Sequence, residues 1–326
     1  MPIDGREKPL VSVGFPVFNE ESSLPAALDS ILAQDYEHLE VIVCDNASTD
    51  ATLEIACEYA ARDARIAVHE SDANRGSNFN FNRCFRVASG RYFMWASGHD
   101  TRLPQAIRKC VEVLEDDPRL VLCYPRTLLR GLDGTSAPIV DTLETRGLPP
   151  ALRLRETVEQ LGWCNAVYGV IRSSALARTR LFCDCFGSDH VLLAELSLLG
   201  EFHQLDETLF VRTENRLPEE LSHKLERVFE MTGVRSQLGR SRPFTVMGFE
   251  HVRGVWHLSE GAAKPKNAGR AAFWYARHRW PFVALEWRLG RAARDALGAG
   301  RQVASLIQRR RRHRKGIGHD GRSTSG

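Results

Sequence analysis

Short apolar runs alternate with amphipathic segments along the first hundred residues of the chain. Runs with the length and composition of buried strands lie at 11–17, 39–44, 66–69 and 92–96. Between them, apolar spacing and capping residues predict helices over 24–34, over 51–61 and between 74 and 90, with Ser22 or Ser23 capping the first. This alternation predicts an α/β fold whose doubly wound, mostly parallel sheet is linked by right-handed crossovers.

Each of these strands is followed at once by a polar loop. The loop residues are Asn19, Glu20 and Glu21, then Asp45 and Asn46, then Asp72, Asn74 and Arg75, and finally His99 and Asp100. Parallel strands present their carboxyl ends at one edge of a sheet, so the pattern predicts a single polar crevice suited to a nucleotide. No G-x-G-x-x-G follows the first strand and no G-x-x-x-x-G-K-[ST] occurs, which argues against dinucleotide oxidoreduction and P-loop phosphotransfer.

The stretch 91–104 is predicted to hold the catalytic centre. Its buried strand leads into the polar residues 97–100, and Leu103-Pro104 then suits the opening of a helix. His99 and Asp100 are adjacent groups that can hold a divalent metal or phosphate-bound water. An open α/β sheet binds its ligand at such a strand end.

Five sequence blocks carry a resemblance to a known family. They lie at 13–21 (VGFPVFNEE), 40–50 (EVIVCDNASTD), 74–76 (NRG), 90–95 (GRYFMW) and 187–189 (GSD). The chain from about Pro9 to Asn215 thereby resembles the inverting family 2 glycosyltransferases with the GT-A fold. The resemblance implies a GT-A domain over 1–217 that moves a sugar from a nucleotide-sugar donor, UDP-linked, to a glycan or lipid-linked acceptor in cell-surface polysaccharide or glycolipid synthesis.

The resemblance also implies a donor pocket. Asp45 is expected to contact the nucleobase, since a carboxylate accepts from the ring N–H of a uracil-like base; the alternative is that it caps the helix at 51. Phe15, Asn19 and Glu21 are assigned to the same pocket, although Glu20 and Glu21 equally suit a helix N-terminus.

Three arginines are candidates for binding the donor. Arg75 and Arg83 are expected to lie against the nucleoside or the diphosphate, with a solvated surface role as the alternative. Arg212 stands where family members place basic residues that reach the diphosphate.

The metal motif departs from the family pattern. Family members end the fourth strand with Asp-x-Asp, and those positions are Ser97, Gly98 and His99 here, followed by Asp100. We predict that His99 and Asp100 hold Mn²⁺ or Mg²⁺ as a Lewis acid for the leaving diphosphate. Two alternatives stay open: His99 binds the diphosphate without metal, or Asp100 caps the helix at Leu103.

A general base is predicted near the start of an apolar helix at 191–199. The resemblance places it at Asp189, with Ser188 where family members carry a second acid. A base aimed at the acceptor hydroxyl, opposite the leaving group, gives inversion at the anomeric carbon. The alternative is that Asp189 only favours the helix N-terminus. Residues 163–176, predicted as a strand followed by a helix start, match the family segment below the acceptor pocket.

The charge of the chain is unevenly distributed. Residues 261–326 contain 16 Lys and Arg against 3 Asp and Glu, a net +13, which leaves −10 on the preceding residues. We predict a helical basic extension over 218–326, its last ~15 residues disordered, that docks on an anionic membrane surface or remains a solvated tail. No nucleic acid is expected as a partner, since no DNA- or RNA-binding motif accompanies the basic run.

Localisation is predicted to be cytoplasmic, peripheral at the inner face of the membrane. The N-terminus lacks an apolar signal core, and no run reaches the ~18 apolar residues of a membrane span. The altered metal motif leaves one other functional hypothesis: a non-catalytic GT-A-like module that binds nucleotide sugar or acts as a scaffold docked by its basic tail.

Overall fold

The strands form where apolar runs are interrupted by polar loops, as the pattern predicts. The computed structural model describes residues 8–139, 142–160, 162, 164–214, 221–260 and 263–296. The strands are β1 (Val11–Val17), β2 (Leu39–Asp45), β3 (Ile66–His69), β4 (Tyr92–Trp95), β5 (Thr101–Arg102), β6 (Leu120–Arg130), β7 (Ser136–Pro138), β8 (Val170–Arg172) and β9 (Glu201–Thr213).

The helices of the described ranges connect these strands and continue beyond them. They are α1 (Leu24–Leu32), α2 (Thr52–Arg62), α3 (Ser77–Arg86), α4 (Ala106–Asp116), α5 (Pro150–Gln160), α6 (Ser173–Leu176), α7 (Ser188–Leu199), α8 (Leu221–Thr232), α9 (Gln237–Ser241), α10 (Pro243–Leu258) and α11 (Ala263–Ala296), with a 3₁₀ turn at Asn165–Tyr168.

The strands pair in the order β3-β2-β1-β4-β8-β6-β9-β5, and β7 pairs with β6. The long ladders are parallel, whereas β8 runs antiparallel to both β4 and β6. Because β8 reverses direction between them, β4, β6 and β9 run the same way. The carboxyl ends of β1, β2, β4 and β9 therefore meet at one edge of the sheet. This architecture confirms the predicted α/β, GT-A-like fold.

Two hydrophobic cores cover the faces of the sheet because strand side chains alternate between them. Helices α1, α2 and α4 pack on one face, where Phe15 and Leu28 are fully buried. Helices α3, α6 and α7 pack on the other, where the Trp95 ring meets Phe93 and Phe182 edge-on at centroid distances of 4.9 and 5.1 Å. Each fully buried side chain of this size contributes about 1.5–3 kcal/mol to folding.

Several predicted local features differ in detail. Ser23 occupies the N-cap of α1, but its backbone is helical and its hydroxyl donates to Glu20 Oε2 at 2.9 Å instead of capping. The helix expected at Leu103-Pro104 begins at Ala106, because residues 101–102 first pair with β9. The expected strand in 163–176 is β8, and a 3₁₀ turn precedes it.

The C-terminal helices share a core with the preceding chain. Helices α10 and α11 pack against α5 and α7, and Met247, Val255 and Tyr275 are buried there. The side chain of Arg180 binds Glu195 on α7 at 2.7 Å and Glu250 on α10 at 2.6 Å, which joins the two helices by an ion network. The predicted domain boundary at 217/218 and the last ~15 residues lie outside the described residues.

One segment of the C-terminal part also reaches the loop that follows β3. Gly76 and Gly233 both have positive φ, and a Cβ on Gly76 would lie 2.6 Å from the Cα of Gly233. Only glycine fits two backbones that approach so closely in this conformation. Separately, none of the helices in the described ranges combines the length and the apolar character required to cross a membrane.

Candidate active site

The floor of the crevice carries two buried acceptors without partners. Asp45 is 1% exposed, and its Oδ2 accepts from the Ser48 N–H at 3.0 Å, whereas its Oδ1 has no partner among the described residues. Asn80 on α3 donates to the carbonyls of Cys44 (2.7 Å) and Val17 (3.4 Å), and its Oδ1 is likewise buried and without a partner. Buried polar atoms are rarely left unpaired, so this floor suits a ligand with N–H donors.

Other residues occupy the capping positions at the start of α2. The Ala51 N–H donates to Glu21 Oε2 at 2.9 Å, and the Thr52 N–H donates to Asp50 Oδ1 at 3.0 Å. Asp45 therefore does not cap α2, and its Oδ1 stays without a partner among the described residues.

The loop after β1 is fastened to the loop after β2. Asn19 has a left-handed backbone, its Oδ1 accepts from the Thr49 N–H at 2.8 Å, and its own N–H donates to Ser48 Oγ at 3.0 Å. Glu21 takes part through its bond to Ala51. Asn19 and Glu21 thus frame the crevice, while the Phe15 ring lies in the core below it.

The arginines after β3 have different environments. The Arg75 guanidinium binds Asp72 at 2.7 Å, lies 5.1 Å from the Phe79 ring and is about half exposed, so a ligand can reach it. Arg83 donates to Ser71 Oγ and to the Glu70 carbonyl, both at 2.6 Å, and so ties down the loop.

His99 lies between two polar side chains. Its Nδ1 is 3.0 Å from Glu20 Oε1, and the Ser97 hydroxyl lies within 3.1 Å of both ring nitrogens. Burial alone would lower the pKa of His99, but the hydrogen bond to Glu20 and the negative charge of Asp100 raise it above the ordinary value.

Asp100 connects this loop to the end of β9. It is 2% exposed, and its Oδ1 accepts from the Thr213 N–H at 2.8 Å. The alternative role of Asp100, a helix cap at Leu103, does not apply, because α4 begins at Ala106. Arg212 precedes Thr213 and donates to Asn165 Oδ1 at 2.8 Å, so the 3₁₀ turn is held beside the same edge.

Buried Arg102 and partly buried Tyr168 link the metal motif to the predicted base. Arg102 donates to the carbonyls of Trp95 and Tyr168 at 3.0 Å, and burial lowers the pKa of Arg102 to about 10. Burial raises the pKa of Tyr168 to about 12, with Arg212 opposing the shift and Asp100 and Asp189 adding to it. The Tyr168 hydroxyl therefore lies close enough to Asp100 and Asp189 for the negative charge of each to raise its pKa.

Asp189 stands in the first turn of α7, where the helix dipole favours its charge. Its Oδ1 accepts from the His190 N–H at 3.0 Å, and the preceding Ser188 donates to Asn78 on α3 at 3.1 Å. Burial lowers the pKa of His190 to about 4, against the opposing charge of Asp189. His190 is therefore neutral at neutral pH.

Several residues that build the site were not predicted from the sequence. Asn80, Arg102, Asn165 and Tyr168 touch or support its predicted members, yet no motif marks them. One signal was available: asparagines at every second position of a helix, Asn78, Asn80 and Asn82, are unusual and all three are buried.

Two curated relatives match part of the chain, both from Bacillus subtilis (strain 168) and both carrying glycosyltransferase names. EpsE is 39% identical over 108 residues, which is 33% of this chain and 39% of EpsE. TuaG, named for teichuronic acid biosynthesis, is 33% identical over 107 residues, which is 33% of this chain and 42% of TuaG. The match thus spans about two-fifths of each relative's length.

Several solved structures share the fold. TarS 1-349 of S. aureus, in complex with UDP-GlcNAc, superposes with a TM-score of 0.60 at 16% identity, covering 86% of this chain and 76% of the TarS 1-349 chain. Mannosyltransferase PcManGT of Pyrobaculum calidifontis, in complex with GDP-Man and Mn²⁺, gives 0.55 at 18% identity, covering 94% and 84%. The profile of Glycosyl transferase family 2 matches residues 12–176, half of the chain. The protein therefore belongs to glycosyl transferase family 2.

Proposed function

We propose that the protein is an inverting glycosyltransferase that uses a UDP-linked sugar. The observation that carries this proposal is the pair of unpartnered buried acceptors, Asp45 Oδ1 and Asn80 Oδ1, at the edge where polar strand ends meet. A uracil ring offers an N–H to such an acceptor. The resemblance to TarS, whose structure holds UDP-GlcNAc, supports the nucleotide, and the name of TuaG supports an acceptor in surface polysaccharide or glycolipid synthesis.

The residues at the metal motif fit a divalent cation. The His99 imidazole lies 3.0 Å from a carboxylate oxygen of Glu20, Asp100 is the next residue in the chain, and Mn²⁺ accepts both donor types. When bound, the cation would neutralise charge on the leaving diphosphate. Arg212 lies at the same edge and adds positive charge, while Arg75 is placed to contact the donor from the β3 side.

Asp189 would act as the base for the acceptor. It takes the hydroxyl proton while the hydroxyl oxygen bonds to the anomeric carbon, and the bond from that carbon to the diphosphate oxygen breaks. Attack from the side opposite the leaving group inverts the configuration. The two carboxylates that affect Tyr168, Asp100 and Asp189, would then face the leaving group and the nucleophile respectively.

Calorimetry tests this proposal directly. UDP and GDP are titrated into the purified chain with Mn²⁺ and with EDTA, and we expect UDP to bind more tightly when Mn²⁺ is present. Equal UDP affinity with Mn²⁺ and with EDTA would contradict metal binding by His99 and Asp100. No nucleotide binding at all would favour the scaffold hypothesis over transfer.

We further propose that the outer face of α11 contacts an anionic membrane surface, which places the enzyme beside a lipid-linked acceptor. Phe273 and Trp280 are 55% and 60% exposed and stand seven residues apart, on one face of the helix. Lys266 and Arg277 are exposed on the same helix. Aromatic side chains beside cations suit the interface of an anionic bilayer.

Vesicle co-sedimentation of the full chain tests this contact. Removing α11 would uncover the core at Ala271 and Tyr275, so substitutions are preferable to truncation. We expect Phe273→Ser with Trp280→Ser to reduce pelleting with phosphatidylserine vesicles, and Leu132→Ser, at an exposed leucine of the β6–β7 hairpin, to leave it unchanged. Equal pelleting of the double variant and the parent would contradict docking by this face.

A further inference from the structure

Three side chains with metal-binding atoms converge beside the predicted base. In the described part of the chain, ligand atoms of Cys164, Asp189 and His190 all lie within 4.8 Å of one another. Cys164 immediately precedes the 3₁₀ turn, and Asp189 and His190 lie in the first turn of α7. Thiolate sulfur, carboxylate oxygen and imidazole nitrogen are the three donor types that Zn²⁺ uses in proteins.

We propose that Cys164, Asp189 and His190 form a Zn²⁺ site, and that Zn²⁺ bound there inhibits sugar transfer. This site is distinct from the divalent-cation site proposed at His99 and Asp100. The inhibition rests on the proposed role of Asp189, whereas the binding of Zn²⁺ does not. Three protein ligands leave a fourth position of the tetrahedron open to water or a small ligand.

Charge balance favours Zn²⁺ in this partly enclosed place. A thiolate, a carboxylate and a neutral imidazole give the ion a complex with no net charge, which is less costly to enclose than an uncompensated ion.

The donor set also separates Zn²⁺ from the cations expected at the donor side. Mg²⁺ and Mn²⁺ prefer oxygen ligands, whereas a thiolate selects Zn²⁺ among the common divalent ions. A carboxylate oxygen that coordinates Zn²⁺ is a poor proton acceptor. Occupation of the cluster would therefore remove the base while leaving the nucleotide crevice at Asp45 intact.

Cobalt provides a readout that does not depend on activity. Co²⁺ replaces Zn²⁺ at tetrahedral sites and gives a thiolate charge-transfer band in the near ultraviolet. Titrating the reduced full chain with Co²⁺ should produce this band, saturating at one ion per chain and disappearing on addition of Zn²⁺. Cys164→Ser should abolish the band, and His190→Gln should weaken Co²⁺ binding by more than about tenfold.

The neighbouring thiols supply a matched control. Cys183 and Cys185 have sulfur atoms 3.2 Å apart and are the competing thiol pair in the same region. Cys183→Ser should keep the band. If no band forms, or if it follows Cys183 instead of Cys164, the site is overturned; if Cys164→Ser fails to fold, His190→Gln decides the same question.

Turnover with saturating Mn²⁺ tests the inhibition. Stoichiometric Zn²⁺ should suppress transfer by the parent chain by more than about tenfold and have little effect on Cys164→Ser. A cobalt band without Zn²⁺ inhibition would keep the site and overturn its inhibitory role. If the chain shows no turnover before Zn²⁺ is added, the proposed function fails, and the cobalt titration still decides whether the cluster binds metal.

Discussion

The proposed donor side and the proposed acceptor side of the crevice are held in place in different ways. On the donor side, the polar loops after β1, β2 and β3 fasten one another through short side chain–backbone bonds, such as those of Asn19 and Glu21. On the acceptor side, the first turn of α7 carries Asp189, and α7 is held by the C-terminal helices through apolar packing and the Arg180 ion network. Nucleotide binding and transfer should therefore respond to different substitutions.

The sharpest test of this comparison is Asp189→Asn. Asparagine keeps the shape and the helix position but cannot take a proton, so turnover should fall by about 10²–10⁴-fold. UDP affinity, measured by calorimetry, should stay close to that of the parent. Asp184→Asn, at an exposed aspartate of the preceding turn, is the control and should keep full turnover. Near-parental turnover of Asp189→Asn with an intact fold would remove Asp189 from the role of base.

The next largest effect is expected on stability. Glu195 is 1% exposed and accepts from both the backbone and the side chain of Arg180, so Glu195→Ala leaves a largely buried guanidinium with only Glu250 as its acidic partner. We expect the free energy of unfolding in urea to fall by about 3 kcal/mol.

A surface ion pair supplies the control for that stability effect. Glu112 pairs with Arg108 one turn away on α4, and both are partly exposed. Glu112→Ala should cost no more than about 1 kcal/mol. Equal costs for Glu195→Ala and Glu112→Ala would contradict the view that a buried ion network holds α7 to α10.

On the donor side, Asp45→Asn should weaken UDP binding. The substitution converts a charged acceptor at the crevice floor to a neutral one, and a hydrogen bond to a charged group contributes about 1.5–3 kcal/mol, so calorimetry should show a loss of on the order of tenfold to a hundredfold. Asp133→Asn, at an exposed aspartate of the β6–β7 turn, is the matched variant and should bind UDP with little change. Unchanged affinity of Asp45→Asn would place the nucleobase elsewhere.

The smallest expected effect concerns acid stability at the amino ends of β1, β2 and β4. Glu40 on β2 accepts from Ser12, from Ser89 and from the Gly90 N–H, and these bonds outweigh burial and lower the pKa of Glu40. A lowered folded-state pKa means that this stability is present above the unfolded-state value and is lost as pH falls through the folded-state value.

Urea unfolding at pH 7 and below about pH 4 measures how much the charged Glu40 contributes to the free energy of unfolding. The parent should lose about 1 kcal/mol more than Glu40→Gln over that interval, because the substituted chain has no charged partner to lose. Glu37→Gln, at an exposed glutamate of the preceding loop, should behave like the parent. Identical acid sensitivity of Glu40→Gln and the parent would show that these bonds do not depend on the charge.

The sequence predicts the donor side better than the acceptor side, for a physical reason. Strands β1 to β4 and the loops after them form from local apolar runs and capping residues, so their bounds agree within about two residues with the expected ones. The two-residue β5 and the antiparallel direction of β8 were not predicted, because both depend on pairing with strands that are distant in the sequence.

The same reason applies to individual site residues. Asp45, His99 and Asp100 follow apolar strands directly, so their place at the sheet edge could be predicted. The Arg102 side chain donates a hydrogen bond to the Tyr168 carbonyl. This bond joins two elements that are far apart in the sequence, so no periodic pattern of residues predicts it. The Ser23 cap was wrong because residue 23 already has helical dihedral angles, and its hydroxyl turns to Glu20.

The contact between Gly76 and Gly233 has a consequence for the order in which parts of the molecule fold. The loop carrying Arg75 rests on a backbone segment that lies about 150 residues farther along the chain. Contacts between residues so distant in sequence form late, because a long chain segment must first close. During synthesis, the β1–β4 half can assemble early, but its third loop reaches its final conformation only after residue 233 has left the ribosome.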